Sequence, residues 1–256
     1  MQDETRHPTL RSAITLLILS YLLAGLVTWI SSVYLPKLQF FLGELFIIMP
    51  TLVFLHVKKY SLKTAFRFNK ISRNLLLVSL VLGCSVTILS AEIDRIISSF
   101  IQIPPELEEF LTEILTIESL FDGVVLFLSA VIVASLFEEM LFRGLLQKAF
   151  ENRMEFIHAI FFTALIFAFL HLTPWLIQVL LLGVLLGLMA WRSNSIVPGI
   201  ILHMFNNGFA LILSNTDPEK INWYSWNGHI HPTVLVIAAG ATYYGFKFFF
   251  RFTQTD

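Results

Sequence analysis

Two adjacent carboxylates, Glu138 and Glu139, and a guanidinium at Arg143 close an uncharged run from Gly123 to Phe137. Ionisable groups at membrane depth are costly and face a protein interior or a water-filled cavity, so a functional site is the default reading. On a helix Glu139 and Arg143 meet, in the acid-before-base order that favours pairing, whereas Glu138 is turned away by ~100°. One carboxylate is thereby neutralised, and the other is free to take a proton from water as a general base. His203 and Asn207 are again four apart, so both can point into one cavity, and Phe167 stands four before His171 as an aromatic wall. Together these residues supply a carboxylate to activate water, imidazoles to orient it, and an Asn amide with a His to hold a developing oxyanion. That is the chemistry of peptide hydrolysis without a covalent intermediate.

Such residues need elements to hold them, and the composition says what kind. With 56% hydrophobic and 14% charged residues and a mean hydropathy of +0.76, the chain departs from the roughly 25% charged residues of soluble domains. It reads as an integral membrane protein: one all-α polytopic bundle over residues 1–256, with about eight transmembrane helices and the catalytic core at about 123–213. The net charge of −1 gives no reason to invoke nucleic acid. Cys84, the lone cysteine, can form no intrachain disulfide and reads as a small buried side chain.

Uncharged runs place the spans at about Ser12 to Pro36, Leu38 to His56, Asn74 to Ala91, Gly123 to Phe150, Phe156 to Leu172, Trp175 to Trp191, Ile196 to Leu213 and Pro232 to Phe250. The first run is too long for a cleaved leader and reads as a span. Thr173-Pro174 marks the turn that divides the long apolar stretch after Phe156. Glu44, inside the second span, reads as an interfacial or bundle-facing acid. The basic segment Lys58 to Arg73 fits either a helix on an anionic leaflet or a solvated loop. In the acidic connector, Pro104 to Asp122, Leu107, Phe110, Leu111, Ile114 and Leu115 recur at helical spacing, as in a surface helix. Trp223, Tyr224 and Trp226 read as interfacial anchors, and His229 with His231 as a loop pair without a ligand role. With the N-terminus inside, thirteen Lys and Arg fall on the cytoplasmic side and three outside, with Arg143 between, of 17 in all. That asymmetry puts both termini in the cytoplasm.

The three motifs Glu138-Glu139-x-x-x-Arg143, Phe167-x-x-x-His171 and His203-x-x-x-Asn207 resemble the signature motifs of the CPBP or Abi family, the type II CAAX prenyl endopeptidases and bacteriocin-processing enzymes. The resemblance covers about Ala130 to Leu213. It implies an intramembrane glutamate protease on an eight-helix bundle, working without a cofactor on a protein or peptide substrate. By the same resemblance Glu138 is the catalytic base and His171 its aid in activating water. His203 and Asn207 form the oxyanion site, and Glu139 and Arg143 hold the helix and tune the field. The setting is the plasma or inner membrane if bacterial, the endoplasmic reticulum if eukaryotic. Other readings use the same residues: a zinc protease with Glu138, His171 and His203 as ligands, a transporter, a non-catalytic scaffold or immunity factor, or helix packing alone.

Depth sets a condition on any of them. His171 lies over ~20 Å along its helix and His203 only ~10 Å from the start of its own. The span carrying Glu138 is therefore expected to run past Lys148, and the Arg192 to Pro198 connection to dip inward.

Overall fold

The computed structural model describes residues 7–101, 104–171, 176–221 and 223–253, apart from the side chains of Leu107, Glu108, Phe110, Leu111 and Pro218. The Thr173-Pro174 turn and the apolar face of Leu107, Phe110 and Leu111 lie outside the described residues. Among those described, helices run at α1 (Leu10–Tyr34), α2 (Pro36–Val57), α3 (Leu62–Ala65), α4 (Arg73–Phe100), α5 (Pro105–Leu115), α6 (Leu120–Glu151), α7 (Phe156–Leu170), α8 (Leu176–Ser193), α9 (Val197–Ser214) and α10 (Pro232–Phe252). A two-strand hairpin, β1 (Ser225–Trp226) against β2 (His229–Ile230), joins α9 to α10.

The sequence starts these helices by two devices. Thr9, Ser72 and Ser119 accept a hydrogen bond from the backbone N–H three residues on, satisfying a donor that the first turn leaves orphaned. Pro36, Pro105 and Pro232 stand at first helical positions, where a missing N–H costs nothing. Inside α2 the missing N–H of Pro50 does matter, and the helix is interrupted at Ile48.

α6 is the axis of the molecule, touched by α1, α2, α7, α8 and α9. It is wound more loosely than an α-helix at Phe127–Val133 and Met140–Leu146, with π-type turns on both sides of the segment Ala134–Glu139. Such wide turns are rare and gather at functional sites. Around its second half lies one apolar core, including Leu141, Phe142, Leu145, Phe66 and Phe167. A second core packs α4, α8, α9 and α10 through Leu82, Leu186, Leu202 and Phe249. Outward, α1 and α10 present Leu22, Val33, Val236 and Ile237, the surface expected against lipid.

Among the described residues seven helices are long and apolar enough to cross a bilayer, which makes this a multi-pass membrane bundle. The expected eighth, α7, has 15 residues. At 1.5 Å per residue it reaches only ~22 Å, short of a ~30 Å hydrocarbon core. Its C-cap residue, His171, lies at the level of Glu138, ~20 Å from the Glu151 end of α6. As expected, α6 continues past Lys148, and the connection before α9 dips inward. Ser195 and Ile196 are fully buried. The Ser195 hydroxyl donates to the Asn69 carbonyl at 2.7 Å and the Ile196 N–H to the Arg67 carbonyl at 3.2 Å.

Four sequence expectations are corrected. The basic segment is no leaflet helix and only in part a solvated loop, since Lys58, Lys59, Lys63, Lys70 and Arg73 are exposed while its middle is packed inside. Its only helix is the single turn α3, Ala65 and Phe66 are in the core, and buried Arg67 is paired with Glu151. Gly144 permits that insertion, because a Cβ there would lie 2.7 Å from the Phe66 Cα. His7 seals the same place, with Nε2 3.2 Å from the carbonyls of both Ala65 and Gly144, and burial lowers its pKa below the ordinary value. Cys84 is exposed, turned away from the buried stripe of Leu75, Leu82 and Val86. Tyr224 is buried rather than interfacial: Arg95 lies 6.0 Å from its ring, and burial pushes its pKa up to about 12. Trp223 and Trp226 are exposed as anchors should be. His229 meets a carboxylate after all, Glu92 at 2.7 Å, and His231 caps α10.

Candidate active site

Glu138 and Glu139 are both buried midway along α6, but with opposite surroundings. Arg143, itself without exposure, donates to Glu139 Oε1 at 2.8 Å from one turn below. Its other terminal nitrogen donates to the Gly183 carbonyl of α8 at 3.2 Å, and one further turn along Gln147 donates to the Gly187 carbonyl at 2.9 Å. Four residues apart on both helices, these two bonds form a ladder that fixes α6 to α8. The guanidinium also lies 4.2 Å above the Phe167 ring, a cation–π contact that compensates for lost hydration. On the remaining side, a Cβ at Gly199 would lie 2.9 Å from Glu139 Oε2. α9 therefore approaches Glu139 so closely that only glycine fits.

Glu139 reaches further than the sequence implied, since His203 Nδ1 lies 3.2 Å from Glu139 Oε1. A carboxylate accepts, so the imidazole donates from Nδ1, and the ring is turned to present Nε2 to Glu138. That Nε2 lies 3.7 Å from Glu138 Oε2, and His171 Nε2 is also 3.7 Å from the same oxygen. The His171 ring is set in a parallel way: its Nδ1 donates to the Phe167 carbonyl at 2.8 Å, leaving Nε2 as an acceptor in the neutral ring. Phe167 is the common wall, with its ring centre 4.3 Å from that of His171 and 5.9 Å from that of His203. Glu138 Oε2 is shielded from solvent and has no hydrogen-bond partner among the described residues. Separations of 3.7 Å exceed direct hydrogen bonds and are of the kind that one water bridges.

Asn207 enters from the next turn of α9. Its Nδ2 donates to the Ala130 carbonyl at 2.9 Å, and an amide nitrogen carries a second N–H for another acceptor. Ala130 sits in the first wide turn of α6, so the loose winding offers Asn207 this acceptor. All seven residues singled out from the sequence are thus assembled around one short segment of α6. As to metal, no group of three or more His, Cys, Asp or Glu side chains among the described residues is arranged to hold an ion.

Sequence reasoning missed Gln147, whose ladder bond was concealed in an ordinary polar position, and of its two readings of Glu44 the bundle-facing one fits the structure. Glu44 lines a cavity of about 170 Å³ together with Ser129, Ala130, Ala134 and Asn207. The pattern gave no sign of it, because a single acid near a span end reads equally well as interfacial.

Compared with known proteins, residues 120–209 match a family described as Type II CAAX prenyl endopeptidase Rce1-like. That stretch opens with α6 and contains every motif residue. No curated protein and no solved structure matches the chain.

Proposed function

We propose that this multi-pass membrane protein, whose motif-bearing third matches the CAAX protease family, is an intramembrane endopeptidase in which Glu138 activates water. The observation that carries the reading is the Glu138 carboxylate, whose Oε2 has no hydrogen-bond partner among the described residues and is faced by two imidazole nitrogens at 3.7 Å. Water between Glu138 and His171 gives a proton to the carboxylate as its oxygen attacks the peptide carbonyl carbon. The carbonyl π electrons move onto oxygen, and that oxyanion is held by Asn207 and by His203. Because Nδ1–H of His203 donates a hydrogen bond to Glu139, donation from Nε2 as well requires the imidazolium, whose charge Glu138 and Glu139 flank. Collapse of the oxyanion breaks the C–N bond, and the departing amine takes the proton that Glu138 received. No covalent intermediate and no metal enter the sequence of steps.

The substrate class is a protein or peptide cleaved near a terminus or beside the membrane. The cation asymmetry places the end of the bundle with His7 and Glu151, and both termini, in the cytoplasm.

The test is mass spectrometry of cleaved termini with purified wild-type and Glu138→Ala protein in lipid. Cleavage by the wild type and none by the folded variant is expected; turnover by the variant rejects Glu138 as base. A chelator is expected to leave the rate unchanged, and a loss reversed by added zinc would favour a metal enzyme. Solute flux without cleavage would indicate transport.

A further inference from the structure

Glu44 is the charged group that this mechanism leaves unused. It stands on α2, opposite the first wide turn of α6, and its Oε2 is shielded from solvent without a hydrogen-bond partner among the described residues. The cavity it lines ends at Asn207, beside the proposed oxyanion site, and at Ala134, one turn before Glu138. Lys and Arg are absent from the described residues of that lining, which is otherwise apolar apart from Ser129 and Asn207. An ionised carboxylate in such a place lacks a counter-charge, and a ligand that brings one gains an interaction that water does not match.

The surroundings favour the same ligand. A second cavity of about 250 Å³ adjoins the first, sharing Phe40, Ile114 and Leu126. It opens at the α5 end of the bundle and is lined by Glu113, Glu118 and Asp122 against a single cation, Lys37. Lys37 is committed to Glu118 at 3.1 Å and Asp122 at 3.3 Å. The two adjoining cavities carry excess negative charge between the bundle end and Asn207, and like-signed clefts concentrate the opposite ion.

We propose that Glu44 is a specificity-determining residue that binds a Lys or Arg side chain of the substrate next to the scissile bond, after the chain enters by the acidic passage at the α5 end. This rests on the endopeptidase reading. The substrate cation forms a charge-assisted hydrogen bond to Glu44 while its backbone carbonyl lies at Asn207. Such a bond is worth enough to favour a basic residue over an isosteric neutral one by about tenfold or more in kcat/KM.

Two measurements decide it. In the first, wild-type, Glu44→Gln, Glu44→Asp and Glu138→Ala proteins in lipid are offered quenched peptides that differ only in Lys, Arg or norleucine at each position around the cleaved bond. The wild type is expected to prefer Lys or Arg at one position by about tenfold or more. Glu44→Gln, which keeps the shape and hydrogen bonding but not the charge, is expected to abolish that ratio, and Glu44→Asp to retain part of it. A ratio unchanged in Glu44→Gln, or basic and neutral peptides falling together, overturns the proposal, as does a wild type without preference at any position. If no peptide is cleaved, or Glu138→Ala still cleaves, the endopeptidase reading fails instead. The second measurement is independent of cleavage: n-butylguanidinium, with n-pentanol as its neutral control, is titrated against thermal unfolding. Saturable stabilisation by the cation alone in wild type and Glu138→Ala, lost in Glu44→Gln, supports the site. Equal stabilisation in Glu44→Gln, or none in the wild type, rejects it.

Discussion

The two faces of α6 bury polar groups in opposite ways. On the face toward α8, Glu139, Arg143 and Gln147 are tied by bonds to the Gly183 and Gly187 carbonyls and by the Phe167 ring, so charge is matched within the protein. Shielded polar atoms without a hydrogen-bond partner among the described residues occur on both faces, Glu139 Oε2, Arg143 Nε and Gln147 Oε1 on the first and Glu138 Oε2 and Glu44 Oε2 toward α2 and the cavity, but only on the first is the carboxylate bonded to a guanidinium. The first face holds helices together, and the second waits for something the protein does not supply. Adjacent residues of the same type thus divide into structural and reactive because a helix turns by ~100° between them.

The sharpest way to break that division is to exchange the losses. Removing the Glu138 carboxylate as Glu138→Gln is expected to reduce kcat by about 10³-fold or more, within or above the usual yield of general-base catalysis, with the unfolding midpoint close to wild type. Glu139→Ala is expected to do the reverse first. It leaves the fully buried Arg143 without its carboxylate, which costs about 3–5 kcal/mol where a buried pair is broken. Thermal unfolding in one lipid composition, run beside a cleavage assay, measures both. A Glu138 variant that unfolds as easily as the Glu139 variant would show that both faces are structural.

Asn207→Ala tests the reactive face at its other edge. It is expected to lower kcat by about 10²–10³-fold, the cost of losing one oxyanion donor, with little change in KM. The same substitution removes one neutral bond to the Ala130 carbonyl, worth only ~1 kcal/mol of stability. A fall in stability much larger than that, with catalysis reduced only in proportion, would move Asn207 to the structural side.

How far this division was legible in the sequence depends on the range of the forces involved. The pairing of Glu139 with Arg143, and the gathering of His171 and His203 on Glu138, followed from fixed helical spacing and from the cost of polarity in lipid. Seven of the helix runs did as well. What failed was tertiary. Arg67 looked like a surface cation because its partner Glu151 is 84 residues away. Tyr224 looked like an anchor because Arg95 and the hairpin that bury it belong to other elements. The run of α7 was read to within two residues of its end at Leu170, but hydropathy marks only where a helix can continue in lipid and did not show that its 15 residues fall short of a full span. Glu44 carried no spacing signal, since its place is set by the break at Ile48 and by the width of the α6 turn it faces.

Gly199→Ala is the smallest change that reaches both faces. The added Cβ would lie 2.9 Å from Glu139 Oε2, an oxygen of a side chain already tied by Arg143 and His203. Displacement of a fixed carboxylate rather than of a free chain end is required, and overpacking of this kind costs about 1–3 kcal/mol. Because Glu139 orients His203, the shift turns Nε2 away from Glu138, so turnover is expected to fall together with stability. Glu139→Asp draws the carboxylate back by one methylene. In the double variant it is expected to recover part of the stability lost in Gly199→Ala, although alone it weakens the contact with Arg143. Recovery would mean that the two substitutions act through the same atoms, and non-additivity in a double-mutant cycle measures how strongly. Strict additivity would separate the faces completely and leave His203 oriented by Phe167 alone.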